Sequence, residues 1–261
     1  MTSQAQQPHI DFDHTSFAVH DALASARQLR QDFGATPITG ESLDAFRYLM
    51  MYIGSEAHGT KVELIEPTGD GFLSHYLDKR GESPHHLTFS VQNLRDVVVA
   101  VREHGFGVVD EHYDHPAWQE AFIRPDATHR TIIQLASSDR QYLSAQQLLT
   151  SYERDVQAMP HIHGARNHDW WTNIWETQPG HTQHIGPTVL KSADLEKSHT
   201  LFGTILQGQP RESQRGMIYA WSSGAIEVVP SDRPGIVGIK TSDSSGEFIT
   251  LGLTTPGLDR A

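Results

Sequence analysis

Three histidines near the start of similar apolar stretches are each followed, at a near-constant interval, by a glutamate or glutamine inside another apolar stretch. The histidines open "HTSFAV", "HLTFSV" and "HIGPTV", and their partners lie in "VELIE", "IIQLA" and "IEVVP". The pairs are His14 with Glu63, His86 with Gln134, and His184 with Glu227, separated by 49, 48 and 43 residues. Imidazole nitrogens together with carboxylate and amide oxygens suit Zn, Mn, Co, Ni or Fe(II), and they leave positions open for water or substrate. The spacing therefore predicts a site for one divalent metal ion.

The alternation of side chains along a strand decides which of these residues face the same way. Glu63 and Gln134 each lie between apolar neighbours, so the polar side chain points to one face and its neighbours point to the other. A polar side chain on an inward face costs free energy unless it has a partner. We therefore expect the first two pairs to converge on one metal ion. His85 is expected to point the opposite way, as a packed or hydrogen-bonded neighbour of His86.

The elements that carry these residues repeat as a strand, a helix and two or three further strands. The first unit contains "IDFDHTSFAV", "ALASARQLRQDFG", "FRYLMMYIG" and "KVELIEP", and the second contains "HHLTFSV", "NLRDVVVAVREHG", "EAFIRP" and "RTIIQLAS". Apolar alternation indicates the strands, and helical spacing that ends at Gly34 and Gly105 indicates the helices. The sequence thus predicts an α+β fold with a complete metal-binding domain at 8–140, a linker or lid at 141–182 and a reduced second domain at 183–255.

The third unit is expected to be incomplete. It keeps His184 and Glu227, but "PGIVGIKTSD" places Ile236 where a second histidine is expected, and too few residues follow for another full unit. We therefore interpret His184 and Glu227 as relics or packing residues, without a second metal site.

Histidine and tryptophan are concentrated in "MPHIHGARNHDWWTNIW", between the second and third units. Two interpretations stay open. The aromatic rings could surround a substrate and exclude water, with Trp170, Trp171 and His163 as substrate-binding residues. Alternatively, the segment is an interdomain linker whose tryptophans pack between two sheets.

Composition narrows the class of protein. The 261 residues contain no cysteine, which excludes disulfides, thiolate metal ligands and cysteine nucleophiles. The net charge of −12 argues against nucleic acid as a partner, because binding to phosphates needs a basic face. Neither a membrane-spanning stretch nor a secretory signal is recognisable. We expect a cytoplasmic protein whose partner is a small molecule, with no nucleic acid and no membrane.

The sequence resembles the vicinal-oxygen-chelate superfamily, which includes the glyoxalases and the extradiol dioxygenases. Residues 10–137 are most similar to methylmalonyl-CoA epimerases, through "DHTSFAV", "KVELIEPTGDGFLSHYLDKRGESPHHLTFSV" and "NLRDVVVAVREHGFGVVDE". The resemblance implies paired βαβββ motifs that form a cup-shaped mixed sheet around a divalent metal. By position, it implies four metal ligands: His14, Glu63, His86 and Gln134. Relatives often pair motifs between chains, so a homodimer and a monomer both stay open.

The chemistry that the resemblance implies is proton transfer next to a carbonyl, on a small substrate whose adjacent oxygens chelate the metal. The base would be Glu63, if it leaves the metal, or Glu41 in "ITGES", which otherwise reads as a solvated loop or strand-edge residue. The predicted function is a metal-dependent isomerase, epimerase or lyase. CoA-thioester substrates are implied by the resemblance alone.

Two other functions remain open. Gln134 occupies a position that is glutamate in epimerases and extradiol dioxygenases, and glutamine cannot act as a base. An Fe(II)-dependent dioxygenase would need a rearranged set of two histidines and one carboxylate, His14, His86 and Glu63. A non-catalytic ligand-binding protein on the same fold is the third interpretation.

Overall fold

The computed structural model describes residues 10–55, 59–115, 117–139, 170–181, 185–241 and 248–249. Within these ranges the chain forms two sheets, of eight and six strands, accompanied by a few helices. The strands of the first sheet are β1 (Ile10–Ala18), β2 (Thr36–Ser42), β3 (Phe46–Gly54), β4 (Gly59–Pro67), β5 (Ser83–Val91), β6 (Val108–His112), β7 (Gln119–Ile123) and β8 (Ile132–Ser137). Those of the second are β9 (Ile185–Ser192), β10 (Gln209–Glu212), β11 (Met217–Ala220), β12 (Ala225–Pro230), β13 (Gly235–Thr241) and β14 (Phe248–Ile249).

The longer helices lie between strands of one sheet, and a short 3₁₀ helix lies in the chain between the two sheets. They are α1 (Ala22–Phe33), α2 (Phe72–Arg80), α3 (Leu94–Glu103), a 3₁₀ helix (Thr172–Glu176), and α4 (Leu195–His199), which continues as a π-helical turn (Thr200–Ile205). In the described part of the chain, no helix has the length and apolar character needed to cross a membrane.

The first sheet consists of two similar halves. Its strand order is β2-β3-β4-β1-β5-β8-β7-β6. The strands β1 and β5 pair antiparallel at the centre, and each has a parallel partner on its other side, β4 for β1 and β8 for β5. This is the pattern of two βαβββ motifs placed side by side, and it confirms the predicted α+β fold with paired motifs. The predicted domain boundaries remain predictions.

Alternation along the strands gives the first sheet a polar and an apolar face. The inner face carries Ser16, Glu63, His86, Thr88 and Gln134, which lie in register with one another across β4, β1, β5 and β8. The outer face carries buried apolar side chains, namely Phe17, Leu64, Leu87, Phe89 and Leu135. The apolar residues of α1 and α3 pack against the outer face, and a smaller apolar cluster around Tyr48, Ile65 and Leu73 lies beside the polar side chains of the inner face.

A β-bulge in β1 places Phe12 and His14 on opposite faces of the sheet. The register of β1 against β5 shifts between Phe12 and His14, so Asp13 is the extra residue. Phe12 therefore packs in the apolar core of the outer face, while His14 reaches the inner face. Without the bulge, these two side chains would point to the same face, since they are two residues apart.

The second sheet is a partial copy of the first. Its order is β10-β11-β12-β9-β13-β14, and β9 lies between a parallel β12 and an antiparallel β13, as β1 lies between β4 and β5. The two sheets pack through their outer faces. One core cluster contains Phe12 and Phe89 from the first sheet together with Phe202 and Tyr219 from the second half. Between the sheets, the buried hydroxyls of Thr15 and Thr188 are 2.7 Å apart.

The register of the second sheet corrects the alignment of the third unit. In β9, Thr188 pairs with Ile226, as Thr15 pairs with Val62 in β1, so Pro187 occupies the place of His14. The position equivalent to His86 is Gly238, which pairs with Val189, and not Ile236. Glu227 keeps its predicted alignment with Glu63, whereas the predicted alignment of His184 with His14 is wrong by three residues. His184 itself lies outside the described residues.

The helix caps support the same correction. Asp21 caps α1 by accepting a hydrogen bond from the Ala24 amide, and Asp194 caps α4 by accepting one from the Lys197 amide. Each aspartate lies six residues after its threonine, Thr15 or Thr188, so the spacing from the first strand to the following helix is the same in both units. Glu227 keeps the position of Glu63 but is bound by Arg215 and Ser213, at 2.6 and 2.8 Å.

Candidate metal centre

Three of the predicted ligands meet on the inner face of the first sheet. His14, Glu63 and His86 each offer a ligand atom, and these atoms all lie within 4.8 Å of one another. The Nε2 atoms of His14 and His86 are 3.4 and 3.6 Å from Oε2 of Glu63. The three residues come from β1, β4 and β5, so the central position of β1 in the sheet brings them together.

His14 presents a buried nitrogen to this cluster. Its Nδ1 lies 2.7 Å from Oδ1 of Asp13, which also accepts a hydrogen bond of 2.6 Å from Lys61 Nζ. A carboxylate only accepts, so Nδ1 carries a proton and donates a hydrogen bond to Asp13. The other ring nitrogen, Nε2, is buried and has no hydrogen-bond partner in the described part of the chain. This nitrogen lies 3.4 Å from Glu63 Oε2, where it can hold either a proton or a metal cation.

The charges around His14 favour a cation at this place. Burial lowers the pKa of His14, but the charge of Glu63 and the hydrogen bond to Asp13 outweigh it and raise the pKa to about 9. Burial likewise raises the pKa of Glu63, while the charges of His14 and His86 lower it to about 2. A proton and a divalent cation compete for the same lone pair, and both are stabilised by the carboxylates.

His86 is held as a neutral imidazole. Burial lowers its pKa to about 3, and the nearby charges of His85 and His14 act in the same direction, against Glu63. Its Nε2 is 2.9 Å from the hydroxyl of Ser16, which donates its one proton to Glu63 and therefore accepts a hydrogen bond from His86. Neutral imidazole is the form of histidine that binds metal ions.

His85 does not point away from His86, in contrast to the prediction. A second β-bulge, where the register shifts between Ser16 and Phe17, makes His85 the extra residue of β5. Its ring stacks edge-on against Tyr76 of α2, with centroids 4.6 Å apart. The Nδ1 atoms of His85 and His86 are 2.8 Å apart, so the hydrogen-bonded interpretation of this neighbour describes it better than simple packing.

Gln134 lies beside the cluster, on β8. It pairs in register with Thr88, whose hydroxyl donates a hydrogen bond of 2.7 Å to Gln134 Oε1. A hydrogen bond from His86 to the Gln134 side chain raises the pKa of His86, which opposes the effect of burial. The structure therefore places the fourth predicted ligand in contact with His86. Together the four offer two nitrogens and two oxygens in a buried site, which fits a divalent ion.

Glu41 lies on the same inner face, in the edge strand β2. It pairs with Tyr48 of β3, which pairs with Ile65 of β4, two residues beyond Glu63. The Tyr48 hydroxyl donates a hydrogen bond of 3.1 Å to Glu41 Oε2. The residue is 1% exposed, so the alternative of a solvated strand-edge residue does not describe it.

The structure does not bring the predicted substrate-binding tryptophans to the cluster. Trp171 is fully buried against the outer face, and its Nε1 donates a hydrogen bond of 3.1 Å to the carbonyl of Gly40. Trp170 stacks on the guanidinium of Arg47, 4.6 Å from the ring centroid. Both tryptophans therefore pack against the fold, as the linker interpretation expects. His163 lies outside the described residues.

Trp171 should therefore act on stability. Replacing it by alanine removes a fully buried indole and its hydrogen bond, so we expect the free energy of unfolding to fall by roughly 3–5 kcal/mol. Trp171→Phe, which keeps most of the volume, should lose clearly less. Denaturant unfolding of the three proteins measures the difference. A near-neutral Trp171→Ala variant with a weakened ligand affinity would favour the substrate-contact interpretation instead.

Sequence reasoning missed three polar partners of the site. Asp13 and Ser16 lie beside His14 in β1, and Glu120 of β7 accepts a hydrogen bond of 2.7 Å from Gln134 Nε2. Glu120 carried a usable signal, because it alternates with the apolar Ala121 and thus belongs to the polar face of its strand. Asp13 carried none, since its orientation depends on the bulge.

Comparison with known proteins agrees with the sequence resemblance in the first half of the chain. Residues 13–122 match the family model described as the Glyoxalase/Bleomycin resistance protein/Dioxygenase superfamily. This match confirms the superfamily predicted for that half. A comparison with curated proteins produced no significant match.

Solved structures similar to this chain also align with about half of it. A methylmalonyl-CoA epimerase from Streptomyces coelicolor, in complex with 2-nitronate-propionyl-CoA, is 26% identical over 50% of this chain and 98% of its own, with a TM-score of 0.43. The epimerase from Mycobacterium tuberculosis is 21% identical over 53% and 95%, with a TM-score of 0.45. A hypothetical protein from Bacillus halodurans, BH1468, is 21% identical over 52% and 100%, with a TM-score of 0.46.

Proposed function

We propose that the protein binds one divalent metal ion through His14, Glu63, His86 and Gln134. With this ion bound, the protein would act as an isomerase, epimerase or lyase that transfers a proton at the carbon next to a carbonyl. The observation that carries this proposal is the buried Nε2 of His14, which has no hydrogen-bond partner among the described residues. It faces Glu63 at 3.4 Å within a group of three ligand-type residues. An unsatisfied buried polar atom costs free energy, and a bound cation removes that cost.

The ion, when bound, would supply Lewis-acid stabilisation of negative charge on a substrate oxygen. The protein's own residues would hold and position the reactants. Asp13 fixes the His14 ring with its proton on Nδ1, as a carboxylate commonly does for a metal-binding histidine. Glu41 is the proposed base, because it is a buried carboxylate on the inner face and is oriented by Tyr48.

The first substrate to test is methylmalonyl-CoA, which the sequence resemblance suggests. Exchange of its α-hydrogen in heavy water, followed by NMR, reports proton transfer directly. We expect exchange that a chelator abolishes and that added Zn²⁺, Mn²⁺, Co²⁺ or Ni²⁺ restores, because the reaction depends on the bound ion. Exchange that is unchanged after complete removal of metal would contradict the proposal.

One observation favours a second function. His14, His86 and Glu63 are two histidines and one carboxylate, the ligand set of many Fe(II) oxygenases. The dioxygenase alternative predicts that Fe(II) alone supports activity and that turnover of a catechol consumes oxygen. Oxygen-electrode measurements with the Fe(II)-loaded and Zn²⁺-loaded protein separate the two functions.

A further inference from the structure

We propose that Glu120 is a positioning residue that orients the side-chain amide of Gln134, so that the amide oxygen and not the nitrogen faces the metal ligands. This inference rests on the proposed metal site. It explains how a glutamine can serve at a ligand position, because an amide binds a hard cation through its oxygen.

The contacts of the two ends of the Gln134 amide are different. Its Nε2 donates a hydrogen bond of 2.7 Å to Glu120 Oε2, and the same oxygen accepts one of 2.9 Å from Trp118 Nε1. Its Oε1 accepts a hydrogen bond of 2.7 Å from the Thr88 hydroxyl. Thr88 is fully buried and pairs in register with His14, so the oxygen end lies toward the ligand strands.

These contacts permit one orientation of the Gln134 side-chain amide. An indole N–H can only donate and an ionised carboxylate can only accept, so the Gln134 atom that faces Glu120 must be the NH₂ group. A flipped amide would place two acceptor oxygens, Oε1 and Glu120 Oε2, against each other. Gln134 is 8% exposed, so water cannot readily replace the lost hydrogen bond.

The pair is also matched in charge. If position 134 held a glutamate, two carboxylates would lie within hydrogen-bond distance, and like charges at neighbouring strand positions are destabilising. Glutamine at 134 and glutamate at 120 therefore depend on each other. Exchanging the two side chains should preserve the interaction, whereas changing either one alone should not.

The test is a double-mutant cycle on metal affinity, measured by titration calorimetry with Zn²⁺ alone. Glu120→Gln removes the constraint on the amide and should weaken Zn²⁺ binding by about 10–100-fold, the range seen when partners of metal ligands are lost. Gln134→Glu combined with Glu120→Gln should recover most of that affinity. The absorption spectrum of the Co²⁺-loaded proteins should change in Glu120→Gln and return in the double variant.

The control is Glu111→Gln, which removes a carboxylate from the adjacent strand β6, where Glu111 is bound to Arg102 and Tyr113. It should leave Zn²⁺ affinity unchanged, which excludes a general effect of net charge. An affinity change below about twofold in Glu120→Gln, or strictly additive effects in the cycle, would overturn the inference.

The experiment separates this inference from the proposed function. If the wild type binds no metal, the proposed function fails, and thermal unfolding of the metal-free proteins at mildly alkaline pH still tests the pair. Gln134→Glu should then lower the midpoint by several degrees, and Glu120→Gln should rescue it. The absence of such a rescue would overturn the pairing of Glu120 with Gln134 on its own.

Discussion

Replacing His14 and His86 together by alanine is expected to abolish metal binding. The wild type should carry about one equivalent of divalent metal, in keeping with a single four-ligand site, and the variant essentially none. The two rings supply both nitrogen donors, and the oxygens of Glu63 and Gln134 alone cannot hold a transition metal tightly. Elemental analysis of protein purified without an affinity tag measures the content directly.

A matched control removes two histidines that lie away from the cluster. His104, at the end of α3, and His112, in β6, are exposed, so the double alanine variant should keep its metal. Retention of a full equivalent in the His14, His86 variant would place the metal elsewhere. No metal in the wild type after incubation with Zn, Mn, Co, Ni and Fe(II) would leave a ligand-binding protein as the remaining interpretation.

Replacing Glu41 by glutamine is expected to lower the rate of α-hydrogen exchange by about 10²–10⁴-fold, the contribution of a positioned general base. The amide has nearly the same shape and can still accept the hydrogen bond from Tyr48, so folding and metal content should not change. NMR exchange rates and elemental analysis on the same samples measure the two quantities. The combination of lost exchange and retained metal identifies a proton-transfer role.

Two further variants make the result specific. Tyr48→Phe removes the hydrogen bond to Glu41 but leaves the carboxylate, so it should reduce exchange by a smaller factor. Glu63→Gln tests the other candidate base. If Glu41→Gln exchanges normally while Glu63→Gln keeps its metal and loses exchange, the base is Glu63.

Strand alternation and the internal repeat predict that Glu63 and Gln134 share the inner face. Glu63 and Gln134 are polar residues between apolar neighbours, and each closes a unit that a histidine opens, so their faces follow from the pleat. Glu41 could not be predicted in the same way. Its burial depends on where β2 and β3 pair, and that register shifts within β2, which no local pattern reveals.

The two bulges mark the limit of prediction from sequence. Asp13 and His85 are extra residues in β1 and β5, and each changes which way the neighbouring histidine or aromatic residue points. A bulge is a property of two paired strands, so a single strand's sequence does not contain it. The sequence left the role of Trp171 open for a different reason: an indole with one hydrogen-bond donor suits a ligand pocket and a buried core equally well.

The packing of the two sheets has a consequence for how the molecule unfolds. Every residue of the candidate metal centre lies in the first sheet, yet the core behind it, around Phe12 and Phe89, is completed by Phe202, Tyr219 and Trp221 from the second half. We therefore expect the half that carries the candidate metal centre not to fold on its own. We expect both halves to lose structure in one cooperative transition. The second half has Pro187 and Gly238 at the positions of His14 and His86. Its role would then be to stabilise the fold of the first half.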